Sequence, residues 1–151
     1  MTELDACPMP SADDAPADEA LRRILEDTRV VAVVGASPHS ERTSHQIARY
    51  LLENTPYSVY LVNPAAGDAT LDGRPFYASL ADLPETPDMV DVFRREEYTP
   101  EVAREAVAVG ASTLWLQLGI RNAQAAQIAA DAGLAVVQNR CLKVEYARLL
   151  P

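Results

Sequence analysis

The sequence has few cysteines and histidines, the residues that are typical of disulfide-bonded scaffolds, metal sites and many catalytic sites. It contains two cysteines in 151 residues, Cys7 and Cys141, which argues against a disulfide-bonded secreted scaffold. Its two histidines, His39 and His45, have no carboxylate or cysteine at the spacing of a metal site, and no partner that would make either a catalytic base. No secretory signal pattern is visible, and no apolar run reaches the roughly 20 residues that cross a bilayer. We therefore expect a cytoplasmic protein with no membrane partner.

Positive charge is also scarce, since the chain has one lysine, Lys143, and a formal net charge of −9. Residues 1–20 hold six of the 22 acidic residues and no Lys or Arg, and three prolines, so we predict an acidic, poorly ordered tail over residues 1–16. Residues 21–151 hold the other 16 acidic residues and all 13 basic ones, so their formal net charge is only −3. Such a body lacks the basic face that nucleic-acid binding requires. Residues 17–151 are long enough for one domain with a core.

Apolar segments alternate with helical patterns along the rest of the chain. The strands are predicted at 30–34, 58–62, 89–92, 113–116 and 134–137, and the helices at 19–27, 44–53, 99–110, 122–133 and 142–150, with one helical turn at 79–82. Asp18 is expected to cap the first of these helices, and Asn122 the fourth. This alternation predicts an α/β fold of the Rossmann-like, doubly wound kind, with a parallel five-stranded sheet in three layers. We expect the strand order 3-2-1-4-5, with ligands at the carboxyl ends of the strands beside strand one.

The first strand leads into a turn that suggests a phosphate site. The buried-type run 30–34 is followed by Gly35-Ala36-Ser37, and a helix is predicted to start near Ser44, whose hydroxyl can cap free backbone N–H groups. A helix N-terminus favours a bound anion. The alternative, a glycine needed only for a tight turn, stays open.

Two observations argue against the hypothesis that this turn belongs to a nicotinamide-dinucleotide site. Serines stand at positions 37 and 40, where the dinucleotide pattern has its second and third glycines. The second strand ends at Asn63-Pro64, where a carboxylate would hold the ribose diol of NAD. These two residues can also be read simply as a turn that stops the strand.

Five arginines follow predicted strands: Arg42, Arg94, Arg95, Arg121 and Arg140. Their planar guanidinium groups suit phosphate oxygens. The alternative is surface charge paired with nearby acids such as Glu96 and Glu97. Cys141 follows the last strand and is read first as a small, half-buried apolar residue.

Several of these segments together resemble a known family. They are Val33–Ser37 with Arg42 and Ser44, Val62–Pro64, Asp91–Arg95, Trp115–Gly119 and Asn139–Lys143. Over about residues 21–150 the chain resembles the small stand-alone CoA-binding proteins. These are similar to the CoA-binding N-terminal domain of the succinyl-CoA synthetase alpha subunit.

The resemblance implies coenzyme A as the cofactor, bound at the strand ends, and assigns residues by position. Gly35, Ala36, Ser37, Arg42 and Ser44 would meet the phosphates. Asn63 and Pro64 would border the adenosine, and Val92, Phe93 and Arg94 would line the nucleotide and the pyrophosphate. Gln117 and Gly119 would face the pantetheine, with Cys141 near it.

The chain departs from the pattern after Pro64, because Ala65-Ala66-Gly67-Asp68 offers no basic residue of the kind often found next in this family. The catalytic histidine of the synthetase lies in a second domain that has no counterpart in these 151 residues. The resemblance therefore implies binding of CoA or an acyl-CoA without established catalysis, with no catalytic residue and no metal.

Two other functions stay open. One is a small NAD(P)-dependent oxidoreductase. The other is an interaction protein in which the nucleotide site is vestigial and the acidic tail recruits a protein partner that the sequence does not identify.

Overall fold

The computed structural model describes residues 14–150, in which strands and helices alternate as predicted. The strands are β1 Val30–Val34, β2 Ser58–Val62, β3 Thr70–Leu71, β4 Arg74–Tyr77, β5 Met89–Val92, β6 Thr113–Leu116 and β7 Ala135–Val137. The helices are α1 Asp18–Asp27, α2 Thr43–Asn54, α3 Thr99–Val109, α4 Ala123–Asp131 and α5 Leu142–Leu149. Short 3-10 turns occur at Leu80–Asp82 and Glu96–Tyr98. None of the helices within residues 14–150 is long and apolar enough to span a membrane.

The strands form one sheet in the order β3-β4-β2-β1-β5-β6-β7. Every pairing is parallel except the short antiparallel hairpin of β3 with β4. The predicted doubly wound, mostly parallel α/β fold is therefore confirmed. Of the predicted tail, residues 1–13 lie outside the described part of the chain, as does Cys7.

The predicted strand count and strand order were wrong. The described sheet has seven strands rather than five, and β5, expected beyond β2, instead pairs with β1 on the side away from β2. The place beside β2 belongs to β4. Its sequence, Arg-Pro-Phe-Tyr, has no apolar run because two of its side chains are exposed and two only half-buried. If β4 is counted as the third parallel strand, the parallel order is 3-2-1-4-5-6, and the winding still reverses beside β1.

The three layers follow from alternation along the strands, since successive side chains point to opposite faces. All five residues of β1 are buried. Val31 and Val33 pack with Trp115 and the apolar faces of α1, α2 and α5. Ala32 packs on the opposite face with residues of α3 and α4.

Two predicted helix caps had different outcomes. Asn122 precedes α4, and its side-chain oxygen accepts a hydrogen bond from the Ala125 N–H at 2.8 Å, as predicted. Asp18, expected to cap the first helix, lies instead in the first turn of α1 and makes a two-fold ion pair with Arg148, with both N–O distances 2.8 Å.

The turn after β1 is held against its two neighbouring strands. The Gly35 N–H donates to the Val62 carbonyl at 2.9 Å, and the Phe93 N–H donates to the Val34 carbonyl at 2.8 Å. Gly35 has a φ of +86°, and a Cβ at this position would lie 2.6 Å from the Phe93 carbonyl oxygen. This position therefore requires glycine for packing, whatever the turn binds.

A carboxyl group lies in the middle of the sheet core. Asp91 is fully buried in β5, in register between Val33 and Trp115. Among the described residues, neither of its side-chain oxygens has a hydrogen-bond partner. Burial raises the pKa of Asp91 well above its ordinary value, so the core favours the neutral acid.

Replacing Gly35 by alanine should destabilise the fold more than the same change at Gly133. Both glycines have a left-handed φ (+86° and +87°), but a Cβ at Gly133 would meet nothing within 4 Å. G133A should cost about 1–2 kcal/mol for the backbone conformation alone. G35A should cost at least about 2 kcal/mol more, because the Phe93 backbone must move. Urea unfolding followed by the fluorescence of buried Trp115 measures both losses, and equal losses would show that the contact with Phe93 is unimportant.

Asp91 should make the fold less stable as the pH rises. Above the ordinary carboxyl pKa the unfolded chain is ionised while folded Asp91 keeps its proton. The free energy of unfolding then falls by up to about 1.4 kcal/mol per pH unit until the raised pKa is passed. Relative to wild type, Asp91→Asn should gain stability from pH 5 to pH 8 in urea unfolding. The exposed-loop control Asp68→Asn should follow the wild-type profile, and parallel profiles for D91N and wild type would contradict the prediction.

Candidate functional site

Two clefts open at the carboxyl ends of the strands, one on each side of the point where the winding reverses. The β2-side cleft, of about 440 Å³, is bordered by Gly35, Asn63, Pro64, Ala78, Phe93 and Arg94. The β6-side cleft, of about 510 Å³, is bordered by Thr43, Phe93, Arg94, Gln117, Leu118 and Cys141. Because Phe93 and Arg94 border both, the two clefts adjoin along these residues. Seven of the thirteen residues predicted for the site border one or both clefts: Gly35, Asn63, Pro64, Phe93, Arg94, Gln117 and Cys141.

A further cavity of about 520 Å³ lies between α1 and β7, away from these strand ends. Its border is mainly small and apolar, with Arg23 and Asp27 as its charged residues. It therefore lacks the converging donors that a phosphate would need.

The turn between β1 and α2 is braced by its own serines. The Ser37 N–H donates to Ser44 Oγ at 3.0 Å, and Ser37 Oγ accepts from the His39 N–H at 3.0 Å. His45 Nδ1 lies 3.0 Å from the Ser37 carbonyl oxygen. Ser44 was expected to cap the helix, but it lies one residue inside α2 and holds the turn instead.

The start of α2 keeps free donors beside the β6-side cleft. Among the described residues, no side chain caps this helix. Thr43, its first residue, borders the cleft. The first N–H groups of a helix have no partner within the helix, and the dipole adds partial positive charge there. An anion in this part of the cleft would therefore meet matching donors.

Asn63 joins the loops after β1 and β2. Its Nδ2 donates to the Ala36 carbonyl at 2.8 Å, and its Oδ1 accepts from the Ala65 N–H at 2.9 Å. An ionised aspartate could not make the first of these bonds, because it has no proton to donate. This dual role gives a physical reason for an amide at a position where NAD-binding proteins use a carboxylate.

The five arginines that follow strands lie in three different surroundings: at the clefts, on the exposed surface, or beside Asp14. Arg94 lies in the region shared by the two clefts, with its guanidinium 4.8 Å from the centre of the Tyr98 ring, and Arg95 borders the β6-side cleft. Arg42 is exposed just before α2 and borders neither cleft. Arg121 and Arg140 approach the Asp14 carboxylate at 2.7 and 3.9 Å.

Four more of the predicted site residues are buried or hydrogen-bonded within the protein. Ala36 and Val92 are fully buried. Gln117 Oε1 accepts from the Leu142 N–H at 3.0 Å, which ties the end of β6 to the start of α5. The Gly119 N–H donates to Asn139 Oδ1 at 2.8 Å, so Gly119 helps to shape the loop whose neighbouring residues border the cleft.

Sequence reasoning missed part of each cleft. Ala78 and Ser79 border the β2-side cleft because they directly follow β4, the strand that was not predicted. Glu105 reaches the same cleft from α3. Burial and the neighbouring Glu101 raise the pKa of Glu105, while Arg94 acts in the opposite direction. On the other side, Leu118 and Ile120 border the cleft and flank the predicted Gly119, although neither was named individually as a site residue.

Comparison with known proteins connects this geometry to a family. The model of the CoA binding domain matches residues 29–147. The uncharacterised protein YneT of Bacillus subtilis is 33% identical over 132 residues, which cover 87% of this chain and 96% of that protein.

Two solved structures agree with this chain in both fold and length, and a third agrees in fold alone. A hypothetical protein from Pyrococcus horikoshii is 38% identical, with a TM-score of 0.87 over 95% of this chain and 99% of that one. A Thermus thermophilus protein is also 38% identical, with a TM-score of 0.83 over 88% and 98% of the two chains. A dinucleotide-forming acetyl-coenzyme A synthetase from Ca. Korarchaeum cryptofilum shares the fold at 21% identity, with a TM-score of 0.62 over 85% of this chain and 27% of that one. From the family match and these full-length relatives, we conclude that the chain belongs to the CoA binding domain family.

Proposed function

We propose that this protein binds coenzyme A or an acyl-CoA in the cytoplasm, as a binding protein without established catalysis. The observation that carries the proposal is the pair of clefts meeting at Phe93 and Arg94, at the strand ends of a CoA binding domain. CoA is an extended ligand with a nucleotide at one end, a pyrophosphate in the middle and, at the other end, a pantetheine arm that carries both amide and apolar groups. Two adjoining clefts with a cationic junction suit that order of chemical groups.

The adenosine would occupy the β2-side cleft. Its border includes the apolar side chains of Val62, Pro64 and Phe93, against which an adenine ring can pack. The loop beside it is fixed by the two hydrogen bonds of Asn63, so Asn63 would act by holding the loop rather than by gripping the ribose.

The pyrophosphate would lie at the junction of the clefts. Arg94 and Arg95 supply guanidinium groups there, and the uncapped start of α2 supplies backbone donors. Ser37 and Ser44 would support this site by bracing the turn that leads into α2. Arg42, exposed at the same helix start, is proposed as an outer phosphate contact.

The pantetheine arm would run into the β6-side cleft. Phe93, Leu118 and Ile120 give this cleft an apolar border, with Gln117 as its polar amide. Leu118 is 58% exposed, which leaves apolar surface for the arm to cover. Cys141 borders the same cleft, so the thiol end of the ligand would approach it.

Isothermal titration should show CoA binding more tightly than NADPH. Arg94→Gln should weaken CoA binding at least about tenfold, because a charged hydrogen bond contributes about 1.5–3 kcal/mol. Arg49→Gln is the matched control, since Arg49 pairs with Glu53 and Asp72 on the surface and borders neither cleft. Tighter binding of NADPH than of CoA would favour the oxidoreductase alternative. No binding of CoA or acyl-CoA up to millimolar concentration would overturn the proposal.

Cys141 should form a mixed disulfide with oxidised CoA, the symmetric CoA disulfide. The Cys141 thiolate attacks one sulfur of that disulfide, the bond between the two CoA sulfurs breaks, and the second CoA leaves as a thiolate. Intact mass spectrometry should show one CoA adduct on the parent protein and none on Cys141→Ser. An adduct on Cys7 alone would contradict the placement of the thiol beside Cys141.

A further inference from the structure

Asp14, the first residue that the structure describes, is fixed at the carboxyl ends of β6 and β7. Its side chain is 6% exposed, and its Oδ2 lies 2.7 Å from Arg121 Nη2 and 3.9 Å from Arg140 Nη1. Its main-chain carbonyl accepts a hydrogen bond from the Gln138 N–H. A carboxylate this deeply buried is favourable only when cations and hydrogen-bond donors surround it, as they do here.

Asp14 also determines which way the Asn139 side chain faces. Asn139 Nδ2 donates to Asp14 Oδ2 at 3.3 Å. Because a carboxylate only accepts hydrogen bonds, the amide nitrogen must point toward Asp14 and the amide oxygen away from it. The oxygen then accepts from the Gly119 N–H at 2.8 Å. Asn139 itself is fully buried with a φ of +57°, so its backbone is held in a conformation that few residues adopt.

This arrangement holds the loop that follows β6, residues 117–121. Besides the bond to Gly119, the Asn139 N–H donates to the Ile120 carbonyl at 3.1 Å. At the far end of the loop, the Arg121 side chain bonds to Asp14 while its N–H donates to Glu96 Oε2 at 2.9 Å. Leu118 and Ile120 of this loop border the β6-side cleft. The chain of contacts therefore runs from Asp14 through Asn139 and Arg121 to the border of that cleft.

We propose that Asp14 is a positioning residue that holds the 117–121 loop in the shape that receives the pantetheine arm. The inference rests on the proposed CoA function and adds a specificity element to it. Asp14 borders neither cleft and would not touch the ligand. Its loss would leave the adenosine and pyrophosphate regions intact and would loosen only the border of the β6-side cleft.

The test compares two ligands on the full-length protein by isothermal titration: CoA, and adenosine 3′,5′-bisphosphate, which has no pantetheine arm. Asp14→Asn keeps the size of the side chain but removes its charge. Arg121→Gln is a second variant at a partly exposed position, 42% exposed, where the fold is less at risk. Asp18→Asn is the matched control, because Asp18 also pairs with an arginine but on the exposed surface.

Asp14→Asn and Arg121→Gln should each weaken CoA binding about tenfold, or about 1.4 kcal/mol. This is the order of the cost of ordering one loop residue on binding. Both should leave the affinity for adenosine 3′,5′-bisphosphate unchanged, and Asp18→Asn should leave both affinities unchanged. Equal loss for the two ligands, or no loss for either in both variants, would overturn the positioning role. Failure of the wild-type protein to bind CoA would instead overturn the proposed function.

Discussion

At the centre of the molecule the turn after β1 rests directly on the backbone of Phe93. The contact is possible only because residue 35 has no side chain, since a Cβ there would lie 2.6 Å from the Phe93 carbonyl oxygen. Hydrogen bonds from Gly35 to β2 and from Phe93 to β1 fix the same point from both sides. The two clefts lie on either side of this point, with Phe93 and Arg94 between them. The shape of the site therefore depends on this contact, which packing enforces without a ligand.

Many polar side chains around the two clefts form hydrogen bonds within the protein and do not face solvent. Asn63 and Asn139 each bond to backbone groups of a neighbouring loop, Gln117 accepts from the first residue of α5, and Ser44 braces the turn before its own helix. Such amides and hydroxyls fix loops that leave parallel strands with no regular structure of their own. What remains for a ligand is a set of apolar surfaces, backbone donors and two arginines. That combination suits a phosphate-containing molecule with a long arm that carries apolar groups.

Much of the fold could be predicted from the sequence, because apolar runs identify buried parallel strands. The first four predicted strands have the observed bounds, and the observed β7 is one residue shorter than the fifth predicted strand. β4 could not be predicted, because it lies near the edge of the sheet and its Arg74 and Pro75 are exposed. Because β4 was not predicted, β5 was placed wrongly in the predicted strand order. For the same reason Ala78 and Ser79, which follow β4, were not predicted as site residues. For the site, glycine and arginine positions pointed to the sheet edge at which the two clefts open. Partners distant in sequence, such as Asp14 for Arg121, depend on folding and cannot be read from spacing.

A crystal structure of the complex with CoA would show whether one CoA molecule lies across both clefts. The adenosine should lie beside Asn63 and Pro64, and the pyrophosphate at the start of α2 near Arg94. The thiol end should lie beside Cys141. An adenosine in the β6-side cleft, or a ligand bound away from Phe93 and Arg94, would rule out this binding mode.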